Sequence, residues 1–191
     1  MRLAQRFEQG PARMKVLLNS ASGDREAIIS RFAADVGASH VAVSLLTEYS
    51  RMVRDQIVTC PERPGAASLL RNLRQEGVAV YVNSATPPDE LRLTLEERYP
   101  ADTFAGIYGG FGCKLANLRA IARSAGACAN SIAMIGDGKD DAIAAAEFGC
   151  HFIGVAGGSL QESSPFASLL KDLTTVSRLL GVEPKACKSI L

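Results

Sequence analysis

The sequence predicts an α/β protein: a parallel sheet covered by helices on both faces, preceded by a short helical segment. Three observations carry this. From Pro61 onward, apolar runs of strand length alternate with helical patterns of about 10–15 residues. Before Pro61 the apolar residues recur at helical spacing instead. Polar and charged residues collect directly after the apolar runs, where the carboxyl ends of parallel strands place ligand sites.

In chain order, "ARMKVLLNSAS" (12–22) is too short to separate helix from buried strand by period alone. "GDREAIISRFAADVG" (23–37) reads as a helix, with Asp24 as its cap, Ile28, Ile29 and Phe32 on one face, and Gly37 as its stop. From Val41 to Val58, the residues Val41, Leu45, Tyr49, Met52, Val53 and Ile57 form one stripe, and Glu48, Arg51, Arg54 and Asp55 lie outside it. These helices make residues 1–59 a segment distinct from an α/β core over 60–191.

In the core, Pro64-Gly65 opens the helix "AASLLRNLRQEG", which Gly77 closes. "VAVYVN" is β-rich and runs into "SATP", followed by the helix "PDELRLTLEERY". A short strand "FAGIYGG", a helix "KLANLRAIARSAG", a buried strand "SIAMIGD", a helix "KDDAIAAAEFG" and a strand "HFIGVAGG" follow. The tail "SSPFASLLKDLTTVSRLLGVEPKACKSIL" reads as a terminal helix through Leu180 with a loose basic end.

Composition narrows the function classes. The 191 residues carry 21 basic and 20 acidic side chains, a formal charge of +1, so there is no general field for nucleic acid or an anionic membrane. Hydrophobic residues make up 47%, enough for a sizeable core. No run approaches the roughly 18–20 apolar residues of a membrane span, and the basic N-terminus has no apolar signal core, so a cytoplasmic location is expected. Cys60, Cys113, Cys128, Cys150 and Cys187 are odd in number and include no C-x-x-C pair, so free thiols are expected. His40 and His151 are isolated in sequence.

The strand-end rule converts these spacings into a site. Ser84 and Thr86 lie where "VAVYVN" ends, Lys114 begins a helix after a glycine-rich turn, and Asp137 ends "SIAMIG", with Asp140 and Asp141 opening the next helix. A hydroxyl, an ammonium and carboxylates on one rim are the groups that hold a phosphoryl group with a divalent cation. Carboxylates bind Mg²⁺, the hydroxyl and backbone N–H groups bond phosphate oxygens, and the lysine offsets their charge. Singly, each residue has a plainer explanation. Ser84-Ala85-Thr86-Pro87 reads as a turn and cap, Lys114 as a solvated helix lysine, and Asp140 and Asp141 as first-turn acids. Asp137 is the hardest to explain that way, because a carboxylate after "AMIG" is poorly solvated without a partner.

Residues 61 to about 158 resemble the core of the haloacid dehalogenase-like (HAD) phosphohydrolases. "PGAASLLRNLRQEGVAVYVNSATPPDEL" is similar to the approach to that family's second motif, which implies phosphate binding by Ser84 and Ala85. Lys114 matches the third-motif lysine. "MIGDGKDDAIAAAEFG" is similar to the fourth motif, which implies Mg²⁺ ligation by Asp137 and Asp141, with Asp140 in a more variable position. The resemblance implies a three-layer Rossmann-like fold, a helical cap over 1–59, Mg²⁺ as cofactor and a small phosphorylated molecule as ligand.

It also implies a first motif, an apolar strand followed by D-x-D, whose aspartates serve as nucleophile and general acid/base. No D-x-D occurs in this sequence. Two explanations stay open: residues 1–59 are the cap that follows the first motif, the strand itself being lost upstream, or "MKVLLNSASG" is a decayed motif with Asn19 and Ala21 at the two aspartate positions. Neither supplies a nucleophile, so no catalytic residue is assigned. The chain is then either an incomplete phosphatase-family enzyme or a catalytically silent binder of a phosphorylated ligand or protein. An exposed sheet position would favour pairing with a partner chain, a homo-oligomer included. A third reading is a Rossmann- or flavodoxin-like module in which "GIYGGFGCK" cradles a nucleotide, although the glycine spacing fits neither phosphate-loop motif.

Overall fold

The computed structural model describes residues 2–20, 25–110, 112–160 and 169–182, with the side chains of 18–20 and 25 left aside. The chain forms two compact units, Met1–Cys60 and Pro61–Leu191.

The first unit is helical. A short 3₁₀ turn at Ala4–Arg6 leads into α1 (Gly10–Ser20), α2 (Arg25–Asp35) and α3 (Ala42–Thr59). Leu3, Met14, Leu17, Ile29, Phe32, Ala33 and Leu45 form its buried core. Phe7 meets Phe32 edge to face, with centroids 5.7 Å apart. The ambiguous run "ARMKVLLNSAS" is therefore helical through Ser20. A decayed first motif requires a strand there, and Asn19 stands on a helix instead. Ala21, and the Asp24 expected as a cap, lie outside the described residues.

The second unit runs α4 (Ala66–Gln75), β1 (Tyr81–Asn83), α5 (Pro88–Arg98), β2 (Gly106–Tyr108), α6 (Lys114–Ala125), β3 (Ala133–Gly136), α7 (Lys139–Phe148), β4 (His151–Gly154) and α8 (Val176–Leu179). Every predicted strand is present, each shorter than its apolar run. Among the described residues the strand pairings are parallel and form two separate pairs. β1 pairs with β2, Val82 opposite Ile107, and β3 pairs with β4, Ile135 opposite Ile153. One face packs on α4 and α8, where Leu69, Leu73 and Val176 receive Val80, Ile135 and Ile153. On α6 and α7, Leu118, Ala144 and Ala145 surround Met134. The buried amide of Asn72 is satisfied by Ser177 Oγ at 3.1 Å.

The predicted terminal helix is corrected. Leu170 bridges Val155 in parallel, extending the sheet edge beyond β4, and among the described residues of the tail only Val176–Leu179 is helical. The Asp172 side chain accepts hydrogen bonds from Thr174 N–H and Oγ1–H, a local turn that competes with helix. Residues 161–168 and 183–191, Cys187 among them, lie outside the described residues. Among the described residues, Cys60, Cys113, Cys128 and Cys150 form no disulfide.

Candidate active site

The carboxyl ends of β1 and β3 carry the predicted residues. Asp141, in the first turn of α7, is 7% exposed. Its Oδ1 lies 2.7 Å from Lys114 Nζ, and its Oδ2 accepts from Gly138 N–H at 3.0 Å. The strand must end in glycine for this: a Cβ on Gly136 would sit 2.5 Å from Asp141 Oδ2. A buried carboxylate is thus fully engaged, by an ammonium and by the open end of its own helix.

Lys114 opens α6 and also donates to Asn83 O at the end of β1, at 2.7 Å. The Asn83 side chain returns the contact. Its Nδ2–H donates to Lys114 O at 3.0 Å, and its Oδ1 accepts from Asn117 Nδ2–H at 3.0 Å. Lys114 therefore joins the two strand pairs at their carboxyl ends, and is no freely solvated helix lysine.

Asp137 is more open. Its Oδ2 pairs with Arg63 at 2.9 Å, both side chains being near half exposed. Arg63 also donates to Ala156 O at 2.6 Å. Gly157, with φ +121°, leaves room for it, since a Cβ there would lie 2.8 Å from the guanidinium. Asp140 is exposed at the surface.

Ser84 and Ala85 sit in the turn after β1. Ser84 Oγ accepts from Thr86 N–H and donates to Thr86 Oγ1, both at 3.1 Å, and Ala85 is exposed. The glycine run read from the sequence as a nucleotide cradle packs on this turn. Gly110 N–H donates to Thr86 O at 2.9 Å, and a Cβ on Gly109 would meet Pro88 Cα at 2.9 Å. Close packing already explains those glycines.

The structure thus brings Lys114 and Asp141 into direct contact and anchors them to the residue before Ser84. Sequence reasoning missed Asn83 and Arg63. A polar residue ending an apolar strand was a signal for the first; "PERPG" gave none for the second.

Among the described residues, no three His, Cys, Asp or Glu side chains converge to hold a metal. Asp137 and Asp141 offer the hard oxygen donors that Mg²⁺ prefers, and Arg63 stands on Asp137 as a positive charge already in place. The pair fits the ion only where a ligand's own oxygens and water complete the shell.

The family model described as hydrolase, haloacid dehalogenase-like hydrolase, matches residues 12–149. The chain belongs to that family. Solved structures agree on the fold. A predicted phosphoglycolate phosphatase from Haemophilus somnus 129pt superposes with a TM-score of 0.71 at 13% identity, over 86% of this chain and 81% of that one. CbbY from Rhodobacter sphaeroides, in complex with phosphate, gives 0.64 at 18% identity, over 92% and 83%. A subfamily IA hydrolase from Geobacter sulfurreducens PCA gives 0.67 at 14%, over 95% and 84%. A search of curated proteins found no match. Among the described residues, no helix is long and apolar enough to cross a membrane.

Proposed function

We propose that this chain binds a small phosphorylated metabolite, in the cytoplasm, at the rim formed by the Ser84–Ala85 turn, Lys114, Asp137 and Asp141, and that it does not hydrolyse it. The observation that carries the reading is Lys114 Nζ, 2.7 Å from both Asn83 O and Asp141 Oδ1. Two of its three N–H donors are used there, leaving one for a phosphate oxygen. The N–H groups of the Ser84–Thr86 turn would hold the other oxygens, and the Met1–Cys60 helices would act as a cap. Asp137 and Asp141 would hold Mg²⁺, and the ion would neutralise phosphate charge.

Support for the ligand class comes from the relatives. One CbbY structure holds phosphate and another xylulose-1,5-bisphosphate. The absence of hydrolysis rests on the sequence, which has no D-x-D to supply an aspartyl nucleophile and its acid/base partner. Losing both removes the covalent route altogether.

Two assays test the reading. With Mg²⁺ present, the chain should hydrolyse p-nitrophenyl phosphate no faster than its Asp137→Asn variant; a clear Asp137-dependent rate would overturn the silent-binder reading. Calorimetry with a bisphosphorylated sugar should show binding that weakens at least tenfold in Lys114→Met, about 1.4 kcal/mol. Equal binding by both proteins would remove this rim as the site.

A further inference from the structure

We propose that Arg63 has two positions at the rim: on Asp137 while no metal is bound, and on a second oxyanion of the ligand once Asp137 takes up Mg²⁺. Metal binding thereby selects ligands that carry a negative group besides their phosphate. The inference rests on the phosphate-binding reading above and adds to it the residue that reads the rest of the ligand.

The two acids of the turn after β3 hold their cations with unequal strength. The Asp141 and Lys114 side chains are 10% and 18% exposed, and Lys114 is held at the same time by Asn83 O. Breaking that pair would strand a buried charge. The Asp137 and Arg63 side chains are 44% and 42% exposed, so water screens their attraction and readily takes its place. A divalent ion arriving at this turn therefore displaces Arg63 and leaves Lys114 where it is.

Displacement does not carry Arg63 away. The backbone just after it is pinned. Pro64 O accepts from Leu173 N–H at 3.0 Å, and Gly65, with φ +87°, packs so closely that a Cβ would lie 2.4 Å from Thr174 N. The guanidinium also has an anchor independent of Asp137, its Nη1–H donating to Ala156 O at 2.6 Å. That carbonyl is itself fixed, because Ala156 N–H bonds Leu170 O at 2.8 Å and Val155 N–H bonds Gly136 O at 2.9 Å. Gly157 keeps the pivot clear, since a Cβ there would lie 2.8 Å from Nη2 and 3.3 Å from Nη1. Arg63 thus turns about Ala156 O, losing one contact and keeping the other.

What Arg63 meets next follows from charge. On Asp137 it is neutralised; with that carboxylate given to a metal, it is an uncompensated cation with N–H donors to place. A planar fork of donors fits an oxyanion in bidentate fashion, which no neutral acceptor matches. Lys114 stands on Asp141, at the other end of the same turn. The two cations therefore address different parts of one ligand, Lys114 its phosphate and Arg63 its second oxyanion. Asp140, exposed in the first turn of α7, is the competing anion within the chain.

The test is calorimetry on the full chain and its Arg63→Gln variant with two matched probes, glycerol 3-phosphate and 3-phosphoglycerate. They differ by a carboxylate in place of a hydroxymethyl group. With Mg²⁺ saturating, the unaltered chain should bind 3-phosphoglycerate about tenfold more tightly. In EDTA, with Arg63 back on Asp137, that preference should vanish, and in Arg63→Gln it should be absent with or without the metal. A merely structural Arg63 would instead change the binding of both probes alike. Equal binding of the two probes in Mg²⁺, as would follow if the freed Arg63 turned to Asp140, overturns the proposal. So does a preference that survives Arg63→Gln, which would assign the carboxylate to another group, or one that survives EDTA, which would leave the metal no part in it. In each of these cases both probes still bind, and the phosphate reading stands. Failure of both probes to bind would remove the rim itself, and the role of Arg63 with it.

Discussion

Arg63 holds Asp137 from the loop that precedes α4, its guanidinium 2.9 Å from Asp137 Oδ2 and 2.6 Å from Ala156 O. The carboxylate proposed above to meet Mg²⁺ is therefore balanced by a cation from within the chain. Because both side chains are near half exposed, the pair contributes little to stability, at most about 1 kcal/mol. Its consequence is for binding: an incoming ion must displace the guanidinium.

Arg63→Gln should therefore tighten Mg²⁺ binding several-fold while shifting the melting temperature by only a few degrees. Calorimetry on the variant and on Arg63→Gln/Asp137→Asn checks this. If the double variant binds as tightly as the single, Asp137 is not the group that was released.

Lys114→Met should be far more damaging. It leaves Asp141 buried beside no counter-charge, a loss on the order of 3 kcal/mol. Adding Asp141→Asn should restore part of that, since an amide oxygen can still accept from Gly138 N–H. Denaturant melts of the two singles and the double give the coupling directly. Additive losses would mean that the 2.7 Å contact carries no interaction of its own.

These residues also mark how far the sequence could be read. Lys114 and Asp141 were legible because each follows an apolar run, and position after a parallel strand fixes which rim a residue occupies. Asn83 was within reach by the same rule. Arg63 was not, because its partner lies 74 residues away and no local period or cap connects them. Helices such as Ala66–Gln75 were clear from Pro64-Gly65 at the start and Gly77 at the end. The strands appeared by type but not by length. An apolar run such as "VAVYVN" gives the residues that could pair, whereas pairing also needs a neighbour, and only Tyr81–Asn83 has one in ladder register. For "ARMKVLLNSAS", two turns of helix and one buried strand share an apolar pattern, and tertiary packing of Met14 and Leu17 decides it.

Gly136→Ala should cost about 1–3 kcal/mol, because the new methyl would lie 2.5 Å from Asp141 Oδ2 and must push it from Lys114 and Gly138. The penalty should shrink in an Asp141→Gly background, where Oδ2, Cβ and Cγ, the atoms the methyl would meet at 2.5–2.6 Å, are all gone. An undiminished penalty there would trace the cost to the backbone of β3 instead.

In the helical unit, Arg6 grips Glu48 with two hydrogen bonds, at 2.7 and 2.6 Å. These bonds hold the Glu48 carboxyl below its ordinary range, opposed by partial desolvation and aided by the Arg6 charge. The unfolded chain therefore takes up this proton at a higher pH than the folded one. The stabilisation is complete above the unfolded value and is lost as pH falls through the lowered folded value. Amide exchange along Ala42–Thr59 should accordingly quicken as pH drops through the carboxylate range, after correction for intrinsic rates. Glu48→Gln should flatten that dependence while leaving Pro61–Leu191 unchanged. An identical acid limb in the variant would assign it to other carboxylates.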